Sequence, residues 1–266
     1  MPDAPATILF IGDVVGGLGR RALLGLLPGL REELAPDAVV VNGENAAGGL
    51  GITPKIADEL LAAGVDVITL GNHTYRQKAI YPYLDEQERI LRPANYLRSQ
   101  PGHGSCLVPL GETGATLGVV NVSGNLFLQA GRPMFAETDA AVGDLIRRGA
   151  DHVLVDVHAE ATSEKVGLGW HLDGRVTAVV GTHTHVPTND FRVLPGGTAY
   201  ITDVGMTGPR GGVIGVKKEQ AIQSMSTHMP VRFETSEDDP WLMGVVIRAQ
   251  APLSAVSIEP VLRPWR

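Results

Sequence analysis

Residues 67–73 read Val67-Ile68-Thr69-Leu70-Gly71-Asn72-His73, an apolar, β-branched run that breaks at a glycine into a carboxamide and an imidazole. A run this short and this apolar reads as a strand buried on both faces, and the glycine lets the chain turn sharply where the strand ends. The same order of residues recurs along the chain. Residues 7–11 lead into Gly12-Asp13, and residues 38–41 into Asn42-Gly43-Glu44-Asn45. Residues 153–157 lead into His158, and residues 177–180 into Gly181-Thr182-His183-Thr184-His185. A further strand is predicted over 117–120. Helical patterns lie between these runs. One has Thr53 as N-cap, Pro54 at its first position, Ile56 and Leu60 on one face and Gly64 as its stop. Another sets Val142, Leu145 and Ile146 on one stripe and ends on Arg147, Arg148 and Gly149. Strands alternating with amphipathic helices predict an α/β fold with a mostly parallel sheet.

After about residue 191 the pattern changes to strand-like runs at 198–202 and 242–248, with an ambiguous stretch at 217–225. This predicts a second sheet or an antiparallel extension. There is no Ser/Pro/Gly tract, repeat or low-complexity segment to mark a linker, so residues 1–266 are read as a single domain.

The composition narrows the function classes. Hydrophobic residues make up 44% of the 266 and charged residues 19%, enough for a sizeable core and too apolar for a disordered chain. A formal net charge of -7 argues against long nucleic acids and anionic membrane surfaces as partners. A small phosphorylated substrate stays compatible, because bound cations reverse the local field. Cys106 is the only cysteine, so no internal disulfide forms, and a packing role is expected for it. The opening MPDAPATILFIGD has no basic segment ahead of its apolar run, and no stretch approaches the roughly 20 apolar residues of a membrane-spanning helix. A soluble, cytoplasmic protein is expected. A homo-oligomer is allowed.

In open α/β sheets, ligands bind beyond the carboxyl ends of the strands, where the groups above collect. Oxygen donors from Asp, Glu and Asn, nitrogen from His and no thiolate suit divalent transition metals. The donors outnumber the needs of one ion. Two ions about 3.5–4 Å apart can clamp a phosphoryl group and supply a hydroxide nucleophile, with a carboxylate such as Glu44 as bridge. An extended His183-x-His185 segment would send both rings to one region. Singly these pieces are weak, since Asp13 alone reads as a helix cap; their repetition at strand ends is what points to a metal site. Asp156 and Asp203 are candidate acceptors for ligating histidines, although a buried Asp156 bonded to backbone is an equal reading. Glu160, Ser163 and Lys165 read either as substrate contacts or as a helix start. His103, His152, His171 and His228 read as surface or packing residues.

These motifs together resemble the calcineurin-like metallophosphoesterase superfamily, and within it the YmdB-type phosphodiesterases. The resemblance rests on Ile11 to Gly16, Asn42 to Asn45, Gly71 to Thr74, His158 to Lys165, Gly181 to Pro187 and Thr202 to Pro209. It implies a four-layer α/β/β/α sandwich holding two ions, iron or manganese. One would be held by Asp13, Glu44, Asn45 and His185, the other by Glu44, Asn72, His158 and His183. It further implies His73 as proton donor and small phosphodiesters, 2',3'-cyclic and 3',5'-cyclic nucleotides, as substrates. The chain departs from the wider superfamily in three places: Val15 stands where a ligating histidine is usual, Glu44-Asn45 replaces a G-D-x-x-D element, and Thr74 follows Gly71-Asn72-His73 where many relatives carry an acidic residue. Asn45 is the expected substitute ligand.

The sequence also admits three other readings: a phosphomonoesterase, a metal-dependent nucleotide-binding regulator whose turnover is incidental, and a dinucleotide-binding oxidoreductase. The last rests on Gly17-Leu18-Gly19-Arg20-Arg21-Ala22, a G-x-G-x-x-A pattern several residues past the first strand.

Overall fold

The computed structural model of the protein describes residues 5–111 and 113–266. The first four residues of the segment read above for a leader lie outside them. The chain alternates strands β1 Ala6–Ile11, β2 Asp13–Val14, β3 Ala38–Asn42, β4 Val67–Thr69 and β5 Ile90–Leu91 with helices α1 Gly16–Leu34, α2 Pro54–Ala62 and α3 Ile80–Glu86. It continues through β6 Ser105–Pro109, β7 Thr116–Ser123, α4 Met134–Arg147, β8 His152–His158, α5 Thr162–Leu172 and β9 Ala178–Thr182. The last part holds β10 Arg192–Val193, β11 Ala199–Ile201, β12 Met206–Pro209, α6 Lys218–Thr227, β13 Pro240–Gln250 and β14 Ser254–Pro264.

Two sheets result. One runs in the order β2-β12-β13-β1-β3-β4-β5 with β14 along β13, the other β10-β11-β9-β8-β7-β6. The β1, β3, β4 and β5 neighbours are parallel, as are β7, β8, β9 and β11. β1 shows why its sequence is apolar throughout. Ile8 and Phe10 enter the core shared by the two sheets with Leu117, Val119, Leu154 and Val180, while Leu9 and Ile11 meet Leu23 and Leu27 of α1 and Leu60 of α2 on the opposite face. On the outside of the second sheet Val142 and Leu145 of α4 and Leu168 and Leu172 of α5 cover Val120, Val155 and Val179. Three apolar interfaces between four layers give the expected α/β/β/α sandwich, and strands buried on both faces lose the alternation of a half-exposed sheet.

Several expectations are met locally. Thr53 Oγ1 accepts from the Ile56 amide at 3.4 Å with Pro54 opening α2, and the ambiguous stretch near 217–225 is helix α6. The late strands do both things foreseen for them, β11 joining the second sheet and β13 extending the first antiparallel to β1. One expectation needs correction: the runs near 117–120, 153–157 and 177–180 do not continue the first sheet but build the second. The glycine pattern at 17–22 is not a phosphate loop. It lies inside α1, where a Cβ on Gly19 would stand 2.3 Å from the Thr207 carbonyl oxygen, so the glycine serves close helix-to-strand packing. Cys106 is buried in β6, and burial pushes its thiol up to about 12. No helix among the described residues is long and apolar enough to cross a membrane.

Candidate metal centre

Both sheets point the C-terminal ends of their parallel strands at one place. Asp13 follows β1, Glu44 and Asn45 follow β3, Asn72 and His73 follow β4, His158 ends β8, and His183 and His185 follow β9. All eight residues singled out from the sequence are therefore brought together. Glu44 stands in the middle with its two oxygens facing different neighbours. Oε2 is 3.2 Å from His158 Nε2, and Oε1 accepts from Asn45 Nδ2 at 3.0 Å. Around His158 Nε2 also lie Asn72 Oδ1 at 3.0 Å and His183 Nδ1 at 3.1 Å. On the other side His185 Nε2 is 3.3 Å from Asn45 Nδ2 and 3.7 Å from Asp13 Oδ1.

Each histidine is held by its other ring nitrogen, which selects the nitrogen turned inward. His158 Nδ1 lies 2.9 Å from Thr182 Oγ1, and that hydroxyl donates to Asp156 Oδ1 at 2.7 Å. His183 Nε2 is 3.1 Å from Glu160 Oε2, and His185 Nδ1 is 2.8 Å from the Ile214 carbonyl oxygen. The expected roles of Asp156 and Asp203 are corrected by these contacts. Asp156 reaches a histidine only through Thr182, being occupied as well by Thr69 Oγ1 at 2.6 Å and Asn42 Nδ2 at 3.0 Å. Asp203 touches none. Its Oδ2 takes the Thr184 amide at 3.1 Å and the Lys165 ammonium at 2.8 Å, so it grips the His-x-His segment by its middle residue. Lys165, fully buried in that pair, is no substrate contact; Glu160, beside His183, is at the site.

The His-x-His segment is not extended. His183 and His185 have φ of 92° and 64°, in the left-handed region that costs non-glycine residues about 1–3 kcal/mol each. A strand would send both rings to one face, but here the chain has already left β9, and the Asp203 carboxylate holds Thr184 between the two rings. Gly71 allows the opposite wall to approach: a Cβ there would stand 2.3 Å from both Glu44 Oε2 and His158 Nε2. The adjoining loop is tied by Asn121 Nδ2 to the Leu70 carbonyl at 2.6 Å and by Thr74 Oγ1 to that of Gly71 at 2.6 Å.

The charges are crowded. Burial pushes the Glu44 carboxyl up, but the charge and hydrogen bonds of His158 and His73 outweigh it and hold the group well below the usual carboxylate range. Burial opposes protonation of His158, yet Glu44 and Asp13 raise it to about 9. Burial and the neighbouring His158 bring His183 down to about 3. Burial raises Asp13, against His185 and His158, and lifts Asp156 to about 6 despite His158 and three hydrogen-bond donors.

A cation fits this set. Asp13 Oδ1 is buried with no hydrogen-bond partner among the described residues, a condition that costs several kcal/mol for an ionised carboxylate unless a positive charge meets it. Groups bound about 2.1 Å from a metal in neighbouring positions stand about 3 Å apart, matching the spacing of Asn72 Oδ1, His158 Nε2 and His183 Nδ1. Asn45 is the exception in orientation, since its Nδ2, which cannot ligate, faces the cluster while Oδ1 lies 2.7 Å from His73 Nδ1. A half-turn of the amide exchanges the two atoms.

A family model described as YmdB-like protein matches residues 9–261. The chain belongs to the YmdB-like family. Among YmdB-like relatives, the 2',3'-cyclic-nucleotide 2'-phosphodiesterase of Bacillus subtilis is 46% identical over 256 residues, 96% of each chain. A hypothetical protein from Thermus thermophilus superimposes with a TM-score of 0.91 at 40% identity, covering 98% of this chain and 100% of that one. A phosphatase from Mycoplasma pneumoniae does so with 0.90 at 34%, over 99% and 95%. The YmdB-like assignment agrees with the resemblance carried by the strand-end motifs and makes the chain a phosphoric ester hydrolase.

Proposed function

We propose that the chain is a dinuclear metal-dependent phosphodiesterase acting on small phosphodiesters, with 2',3'-cyclic and also 3',5'-cyclic nucleotides as the substrate class, and that residues 1–266 work as one domain. The observation that carries this reading is Glu44. Its Oε2 stands 3.2 Å from His158 Nε2, in a group with His183 that can hold an ion, while Oε1 turns the other way, toward Asn45, which supports a bridging role. Asp13, Glu44, Asn45 and His185 would hold one ion, and Glu44, Asn72, His158 and His183 the other; the oxygen and imidazole donors suit a transition metal, and the family resemblance makes it iron or manganese. When bound, such ions supply charge neutralisation on the phosphoryl oxygens and a nucleophile at neutral pH. The protein's own part is to place the ester and to return a proton to the departing alkoxide. His73 is set for the second task, with Nδ1 anchored by Asn45 and 3.3 Å from Glu44 Oε1. The name of the Bacillus subtilis relative supports the substrate class.

Glu44→Gln keeps the side-chain shape and removes the bridging charge. Metal analysis should find fewer than two ions per chain, with hydrolysis of a cyclic-nucleotide panel lost in parallel. Two ions retained in the variant would refute the bridge.

Metal uptake should depend on pH in a calculable direction. His158 must shed its proton to ligate, and in the metal-free protein that proton persists up to about pH 9. Loading near pH 7 should therefore release protons, and affinity should climb with pH until about 9. For the metal-free fold the signs run differently. The raised His158 contributes stability fully present below pH 6.5 and lost as pH rises through about 9. Depressed Glu44 contributes stability present above pH 4.5 and lost as pH falls through its lower folded value. Calorimetry in buffers of different ionisation enthalpy measures the released protons; uptake without proton release at about pH 7 would contradict the His158 assignment.

A further inference from the structure

Beside the cluster opens a cavity of about 630 Å³ that shares Glu44, Asn45, His73, His183 and His185 with it and extends well beyond the space a phosphoryl group needs. Its far wall is apolar: Ile214, Met225 on α6 and Phe233, residues that are 52%, 67% and 51% exposed. Among the described residues neither lysine nor arginine lines it; the polar groups on its walls are the hydroxyls of Thr184 and Thr235 and the carboxylates of Glu160 and Glu234. Building on the phosphodiesterase reading, we propose that this cavity is the nucleoside subsite, where the base of a single nucleotide stacks on Phe233 and packs on Met225 and Ile214 while its phosphodiester lies at the strand ends.

The chemistry of the walls selects that occupant. An aromatic face exposed to water next to a phosphoryl site gains most from a flat, weakly polar ring, and base stacking on an aromatic is sequence tolerant. Carboxylates and hydroxyls accept from exocyclic amino groups. Of the two carboxylates on these walls Glu234 is paired with Lys217, so a second phosphate meets Glu160 and finds no lysine or arginine among the lining residues, which disfavours oligonucleotides and nucleotides with an additional 5'-phosphate. Ile214 links the subsite to the metal ligands. It lines the cavity with its side chain and holds His185 through its carbonyl, from a left-handed φ of 44°.

Equilibrium binding to the Mn2+-loaded protein tests the assignment with three probes: inorganic phosphate, adenosine 3'-phosphate and adenosine 3',5'-bisphosphate. In the unaltered protein the mononucleotide should bind about 10-fold or more tightly than phosphate, and more tightly than the bisphosphate. Phe233→Ala should weaken the mononucleotide by about 5-fold to 160-fold, the range of base–aromatic stacking, and leave phosphate unchanged; Phe233→Trp should restore it. Equal affinity of phosphate and mononucleotide, or an unaffected Phe233→Ala, overturns the subsite and spares the phosphodiesterase. Failure of phosphate itself to bind overturns the phosphodiesterase reading instead. Sedimentation of the same variants supplies the remaining arm: loss of self-association in Phe233→Ala would assign this face to a second copy of the chain and overturn the proposal.

Discussion

Replacing Lys165 by Met is expected to destabilise the protein by about 3–5 kcal/mol, the usual consequence of leaving one member of a buried ion pair without its partner. Lys165 and Asp203 are both wholly buried, 2.8 Å apart, and the substitution leaves the Asp203 carboxylate with hydroxyl and amide donors alone. For a chain of this size the melting temperature should fall on the order of 10 °C. The loss should not stop at stability. Asp203 also holds Thr184 between His183 and His185, so metal affinity should fall with it. Pairing Lys165→Met with Asp203→Asn removes both charges and should recover much of the stability. Scanning calorimetry of the single and double variants decides; a single-variant loss below about 1 kcal/mol would mean that water, not the protein, solvates the pair.

His73→Ala should slow hydrolysis of esters with alkyl leaving groups by about 100-fold to 10,000-fold, the contribution typical of a positioned general acid. Aryl esters should be largely spared, because a phenolate departs without a proton. The imidazole borders the cavity beside the cluster and is tied through Nδ1 to Asn45, while its Nε2 makes no hydrogen bond among the described residues. Parallel rates for a cyclic nucleotide and a nitrophenyl diester measure the difference, and equal losses in both would assign His73 to structure or metal binding.

The four-layer α/β/β/α fold was legible in the sequence, and so were the groups that collect at its strand ends. Strand-end groups are legible because a strand must stop where its apolar run stops, and the residues just past that point face a crevice; Asp13, Glu44, Asn72, His158 and His183 are all legible in that way. The membership of each strand in one sheet or the other was not legible, since residues 117–120 and 7–11 are equally apolar when both faces are buried. The supports of the site were also hidden. Thr182 reads in the sequence only as a spacer before His183, yet its hydroxyl joins His158 to Asp156. Ile214 acts through its backbone, which no side-chain motif reports. The positive φ values of His183 and His185 run against local preference, in a segment whose middle residue, Thr184, is held by Lys165 and Asp203.

β13 pairs residue by residue with β1, from Ala6 with Ala249 to Ile11 with Gly244, although nearly the whole chain separates them. Every proposed metal ligand has been synthesised by His185, but the strand that flanks β1, and so steadies Asp13 at its end, comes some sixty residues later. A nascent chain stalled in that interval would carry a full complement of ligands beside an unpaired strand edge, the condition most prone to misassembly. Completion of the last hairpin therefore closes the sheet edge on which β1, and Asp13 at its end, depend.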